Sequence, residues 1–300
     1  VITVTAPTSN IGHQVVNRLL EIDVPLRVVA RDPCRLPTAV RDRAQVIAGS
    51  HGDPDVLAAA VDGTDAVFWL VPPDPRADSV RAAYVDFTRP ALEVFSAANA
   101  LRVVGISALG RGVARNAGFV CASHETDDLI GSTGVAFRAL TLPSFMDNLL
   151  RQADAIATRG VFFSPIDADR VMPTCATRDI ADVAAALLVD PSWSGVSDRA
   201  VLGAEDLSFH DMAAIVSETL GWPVRFQQID GAAYKANLMN NGMSEAMAQG
   251  MLDMAMAKND GLDNAEPRTP EATTPTTFRQ WCREVLAPAL ASRPDRSNRK

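Results

Sequence analysis

The chain has 300 residues, of which 47% are hydrophobic and 21% charged, enough for one large or two modest globular domains. Its net charge is −8 with a pI near 5.0, and no basic cluster appears before the extreme C-terminus, which argues against a nucleic-acid groove or an anionic membrane surface. No apolar run approaches the roughly 18 residues that cross a bilayer, and the first strand follows no secretory signal, so a cytoplasmic protein is expected.

Ile2 and Val4, with Val1, open a β-branched run that reads as a buried strand, and Val15, Val16, Leu19 and Leu20 recur at helical spacing. Between them Ala6-Pro7-Thr8-Ser9-Asn10-Ile11-Gly12 forms a strand-to-helix turn. At such a turn the pyrophosphate of a dinucleotide can meet a helix N-terminus. A Gly-x-x-Gly-x-x-Gly version would place glycines at positions 6, 9 and 12, and only Gly12 is present. Ala6 must turn tightly with a Cβ, and Pro7 biases it toward extended backbone. Ser9 brings a side chain to where backbone would approach phosphate, although its hydroxyl can donate. An ordinary βα turn without ligand is the competing reading.

Further apolar strands are expected at 26–30, 44–48, 66–71, 102–106 and 137–142, with helices at 54–61, 79–100 and 123–132 between them. Strands apolar on both faces, alternating with helices, predict a Rossmann-type doubly wound parallel sheet. Its ligands would lie at the carboxyl ends of the strands, near Thr8–Ile11, Arg31, Val71–Pro73, Ser107–Leu109 and Pro143–Phe145. The second half mixes helices at 179–188, 208–220, 244–257 and 277–286 with a strand at 224–229; Ser208-x-x-Asp211 is a capping-box start. The expected organisation is a dinucleotide-binding domain over 1–150, a smaller α+β substrate region over 151–290 with some strands returning to the main sheet, and a disordered tail over 291–300. Cys34, Cys121, Cys175 and Cys282 are scattered and read as reduced thiols, and no metal site is discernible.

The chain resembles the NmrA-like branch of the atypical short-chain dehydrogenases/reductases over nearly its whole length. The resemblance rests on Thr8-Ser9-Asn10-Ile11-Gly12, Val29-Ala30-Arg31-Asp32-Pro33, Val67 to Pro73 and Ile106-Ser107-Ala108-Leu109-Gly110. It continues through Pro143 to Leu149, Ala176 to Val183 and Thr273 to Phe278. It implies a nucleotide-binding Rossmann domain, a smaller C-terminal domain and a substrate between them. It also implies NADP(H) as cofactor, with Thr8, Ser9, Asn10, Ile11, Gly12, Arg31, Val71, Pro72, Ser107, Ala108, Pro143, Ser144 and Phe145 lining its site. An oxidoreductase acting on a small aromatic or quinone-like substrate is the expected activity, with a homodimer compatible with it. A redox-sensing regulator without turnover and a tailoring enzyme of aromatic polyketide pathways, belonging to secondary metabolism, are the alternatives.

Arg31 follows the second strand where an acidic residue would bind a ribose 2′-hydroxyl, so it suits a 2′-phosphate; a surface pair with Asp32 is the competing reading. The Tyr-x-x-x-Lys pair of short-chain dehydrogenases is absent: the tyrosines are Tyr84 and Tyr234, followed four residues on by Thr88 and Leu238. His124, expected to begin the helix after the fifth strand, is the remaining acid–base candidate, at about the place where related reductases carry a lysine. A capping or surface role is its alternative. The resemblance places Pro143-Ser144-Phe145 beside the nicotinamide, with Phe145 walling the ring and Asn148 bonding substrate or backbone; Thr141 stands where an arginine is frequent. Met247, Met251 and Met254 share a helix face that would suit a planar apolar substrate, or is core. His13, His51 and His210 read as structural, and Asp127-Asp128 and Asp53/Asp55 as solvated surface.

Overall fold

Ile2–Thr5 (β1) and Ala66–Trp69 (β4) are buried along their whole length, the mark of strands covered on both faces. With Leu26–Ala30 (β2), Gln45–Ala48 (β3), Arg102–Ala108 (β5), Ala136–Leu142 (β6) and Val196–Ala200 (β10) they form one seven-stranded sheet in the order β10-β6-β5-β4-β1-β2-β3. Every pairing in it is parallel. The structure, a computed structural model, describes residues 1–98 and 100–292. Positions 293–300 of the expected tail lie outside them, as does Asn99 in the helix expected to reach residue 100.

The order in which strands are added reverses between β1 and β4: β2 and β3 lie on one side of β1, and β4 to β6 on the other. That switch point opens a crevice at the carboxyl edge. Gly12–Glu21 (α1) and Thr177–Val189 (α7) contribute Val15, Val16, Leu19, Ile180, Ala184 and Leu188 to the core on one face. On the other face Pro54–Val61 (α3), Phe87–Ala97 (α4) and Phe119–Gly131 (α5) bring Leu57, Phe95 and Ile130 against Trp69 and Phe137. Thr38–Arg43 (α2) links β2 to β3.

The second half builds its own apolar centre from Met146, Leu149, Phe162, Met212, Phe226, Phe278 and Trp281. Around it lie Ser144–Phe145 (β7), Ala153–Arg159 (α6), Val161–Ser164 (β8), Met172–Cys175 (β9), Asp206–Leu207 (β11), Phe209–Leu220 (α8) and Arg225–Gln228 (β12). β11-β9-β7 form a three-stranded sheet and β12-β8 a two-stranded one. The Ser208 capping box is present, with Ser208 Oγ accepting from Asp211 N at 3.1 Å and Asp211 accepting from Ser208 N at 3.0 Å.

The helices α2 and α6 were not expected from the sequence, and three others depart from its reading in instructive ways. The segment expected as one helix over 79–100 is a π-turn at Ala82–Asp86 followed by α4, which carries Pro90 inside it. Proline lacks the N–H that would close the preceding turn, so that turn widens. Helix α5 begins at Phe119, four residues earlier than expected, after Gly118 at φ +51°. A Cβ on Gly118 would stand 2.0 Å from the carbonyl oxygen of Gly250 in Glu245–Asn259 (α10), so glycine lets α10 close onto the start of α5. Gly231–Asn240 (α9) buries none of its residues, and it has no apolar stripe that a sequence pattern would reveal.

Candidate functional site at the carboxyl edge of the sheet

The β1–α1 turn is built on a strained alanine. Ala6 adopts φ +48°, a left-handed conformation that costs a non-glycine residue roughly 1–2 kcal/mol. Pro7 therefore does not hold Ala6 extended, contrary to the sequence reading: the requirement of the turn outweighs the local preference. The Ala6 carbonyl accepts from Ser9 N at 3.0 Å and lies over the first residue of α1, where a Cβ on Gly12 would approach it to 2.2 Å. Only glycine permits that approach. Ser9 Oγ accepts from Gly12 N at 3.0 Å, so the serine caps the helix start in place of a second glycine. Thr8 and Asn10 are exposed, and Ile11 is buried in the core. Among the described residues the N–H groups of Asn10 and Ile11 have no acceptor. Free N–H groups at a helix N-terminus are what an anion requires, so the turn fits the phosphates of a dinucleotide.

At the end of β2, Arg31 is exposed and makes no ion pair among the described residues; the Asp32 carboxylate instead accepts from Cys34 N at 3.0 Å. Arg31 and Asp32 therefore do not pair with each other. Arg31 is close enough to His51 to disfavour its charged form. His51 is buried between the edges of Trp69 and Phe87, with ring centroids 5.1 and 5.0 Å away, and its Nε2–H donates to the Leu70 carbonyl at 3.0 Å. Burial first, then the Arg31 charge, pulls its pKa down to about 4 against the hydrogen bond to Leu70. His51 is therefore a neutral brace that ties the β3–α3 loop to the end of β4.

Val71 and Pro72 are half-buried beyond β4. Next in the sheet, Ser107 is buried and Ala108 half-buried at the end of β5. His124 lies in the second turn of α5, not at its start, and its Nε2–H donates to the Ala108 carbonyl at 2.9 Å. Burial lowers its pKa, with the hydrogen bond opposing and Arg111 assisting. Ser107, Ala108 and His124 are thus brought together.

Asp127 was missed. The sequence reading groups it with Asp128 as solvated surface, but its side chain is only 5% exposed. It accepts from the Ser107 hydroxyl and from Arg111 Nη2, the latter at 3.0 Å. Burial pushes its carboxyl up to about 7, against the opposing pull of Ser107 and Arg111. The helical spacing of Ser123 and Asp127, toward the strand carrying Ser107, was the signal available.

Beyond β6, Pro143 is buried, and Ser144 and Phe145 are half-buried where β7 pairs with Thr174 and Cys175. Asn148 is exposed, and its side chain makes no hydrogen bond among the described residues. Its neighbour Asp147 accepts from Thr177 N at 3.0 Å and Thr177 Oγ1 at 2.9 Å, fixing the start of α7. Gln14 Nε2 donates to Thr177 Oγ1 at 2.8 Å, joining α1 to α7. The methionine face divides. Met247, 1% exposed, is core and not a pocket wall, because the α10 N-terminus packs it inward; Met251 and Met254 are half-buried. No group of His, Cys, Asp or Glu among the described residues is arranged to hold a metal, and no helix there is long and apolar enough to cross a membrane.

The model of the NAD(P)H-binding family matches residues 8–191. An NAD(P)H azoreductase of Xenophilus azovorans is 30% identical over 273 residues, covering 91% of this chain and 92% of the relative. Among solved structures, the NADPH-dependent quinone oxidoreductase of Escherichia coli complexed with NADPH superposes with a TM-score of 0.75 at 18% identity, covering 97% of this chain and 99% of that one. The Citrobacter sp. triphenylmethane reductase complexed with NADP(H) gives 0.78 at 16% identity, covering 96% and 99%. The chain belongs to the NAD(P)H-binding family.

Proposed function

We propose that this member of the NAD(P)H-binding family is an NADPH-dependent reductase of a small, planar aromatic or quinone-like acceptor. The observation that carries the reading is the β1–α1 turn: Ala6 held at φ +48° over Gly12 leaves the N–H groups of Asn10 and Ile11 free at the carboxyl edge. Similarity to reductases of azo, quinone and triphenylmethane compounds supports the acceptor class.

In this reading Asn10 and Ile11 hold the pyrophosphate through their N–H groups, and the unpaired guanidinium of Arg31 takes the 2′-phosphate. The bound dihydronicotinamide supplies a hydride. Val71 and Pro72 from the end of β4 and Phe145 from β7 wall the ring, and Met251 lends the acceptor an adaptable apolar surface. The ring N–H of His124 is committed to the Ala108 carbonyl, so we assign His124 to shaping the cleft. Without Tyr-x-x-x-Lys, rate comes chiefly from holding donor and acceptor in register and excluding water.

The test is NADPH oxidation followed across a panel of benzoquinones, naphthoquinones and azo dyes, alongside NADPH binding by fluorescence. Saturable oxidation with at least one acceptor is expected. Binding without turnover would convert the reading to that of a sensing regulator, and no binding at millimolar NADPH would leave an unrelated chemistry on this scaffold.

A further inference from the structure

A line of hydroxyl and carboxyl groups runs from the surface to the carboxyl edge of the sheet behind His124. At its outer end Arg111, 34% exposed, spans three carboxylates: Asp127 at 3.0 Å, Asp128 at 2.7 Å and Asp198 of β10 at 3.1 Å. Asp127 is buried and bonded to the Ser107 hydroxyl. Ser123, one helical turn before Asp127, lies 3.5 Å from Ser107, oxygen to oxygen. Ser107 is the penultimate residue of β5, adjacent to Ala108 at the edge where the ring and acceptor of the proposed reaction would meet.

Reduction of a quinone or azo group consumes a proton for each hydride, and the groups nearest the edge do not supply one. His124 spends its N–H on Ala108 and is held neutral by burial. Both tyrosines have pKa values raised by burial, Tyr84 to about 12. We propose that Asp127 and Ser107 are the proton supply of this enzyme, Ser107 touching the acceptor and Asp127 standing behind it as the positioning acid. The proposal rests on the reductase reading given above.

The step balances simply. With Asp127 protonated, its O–H would donate to Ser107 Oγ, the reverse of the bond made to the carboxylate. This frees the Ser107 proton for the heteroatom of an acceptor that the bound dihydronicotinamide would supply with hydride. As the serine O–H bond breaks, the Asp127 O–H proton passes to Ser107 Oγ, leaving the Asp127 carboxylate beside Arg111. Water at the exposed edge of Arg111 returns the proton before the next turnover. The charged groups bearing on Asp127 are Arg111 from the β5–α5 loop and Asp198 from β10, with His124 and Asp128 on its own helix. Arg111 stabilises the carboxylate left after transfer, while burial and Asp198 favour taking the proton back. Such a group is poised for exchange near neutral pH.

The experiment is the pH profile of kcat and kcat/KM with a quinone acceptor for the wild type, Asp127→Asn and Ser107→Ala, with the carboxyl of Asp127 titrated by 13C NMR in the wild type and in Ser107→Ala. Wild-type turnover should fall as pH rises through about 7, in step with the carboxyl signal. Asp127→Asn should lose that break and turn over roughly 10²-fold more slowly below it, with NADPH affinity unchanged. Ser107→Ala should be slowed comparably while Asp127 still titrates, which a merely structural role would not produce. A break near 7 that persists in Asp127→Asn, or a Ser107→Ala enzyme of full activity, overturns the relay. Absence of NADPH oxidation in the wild type, with every acceptor, would instead refute the reductase reading itself.

Discussion

Replacing Asp127 by asparagine should make the stability of the fold less sensitive to pH, and the size of the effect follows from the structure. The Asp127 carboxyl is raised from 3.8 to about 7, burial being the largest cause. At roughly 1.4 kcal/mol per unit this corresponds to about 4 kcal/mol of linked stability. Between those two values the native state holds a proton that the unfolded chain has lost. The contribution is therefore complete below the unfolded pKa and is lost as pH rises through the folded one. Asparagine does not titrate, and Arg111 keeps Asp128 and Asp198, so no buried charge is stranded. Urea unfolding of both proteins from about pH 5 to about pH 8 isolates the linkage, since every other titrating group cancels in the difference. Relative to the variant, the wild type should lose about 3 kcal/mol over that range, whatever constant offset the substitution introduces. A difference that stays level across the range would mean that Asp127 is ionised throughout in the native state, and the reasoning on its burial would be wrong.

Other substitutions probe the cofactor end. Ala6→Gly removes a left-handed alanine and should raise stability by roughly 0.5–1 kcal/mol in urea unfolding, with NADPH bound at least as tightly. Gly12→Ala places a Cβ 2.2 Å from the Ala6 carbonyl oxygen, so it must displace the turn; NADPH binding by calorimetry should weaken at least tenfold. Arg31→Ala should weaken NADPH by about tenfold or more while leaving NADH nearly unchanged, and equal losses for the two would remove Arg31 from the 2′-phosphate. His124→Ala, measured as kcat with a quinone, should slow turnover less than Asp127→Asn does, because the imidazole N–H is already spent on Ala108.

What the chain discloses without coordinates, and what it conceals, follows from the range of the interactions involved. The parallel sheet was legible because its strands are buried on both faces, as β4 is throughout, and such burial favours apolar runs like Ala66-Val67-Phe68-Trp69 that need no partner to be recognised. The β1–α1 turn was legible as a position but not as a conformation. Pro7 argues for an extended Ala6, and only the long-range demand that α1 lie under the Ala6 carbonyl overrides it. The departures in the helices have the same origin. Helix α5 starts early because Gly118 must admit the backbone of Gly250, a residue far away in sequence, and α9 left no trace because it buries nothing. Asp127 is the instructive case. Beside Asp128 it looks like half of a solvated pair, and along one helix there is nothing to separate the two. Their separation comes from Ser107 on β5 and Arg111 in the loop after it, which take up one carboxylate beneath the helix and leave the other outside. A buried acid is made by its neighbours, and those neighbours come from other elements of the fold. That is why the residues we assign to the phosphates were visible in one short stretch of sequence, while the residue we assign to the proton was not.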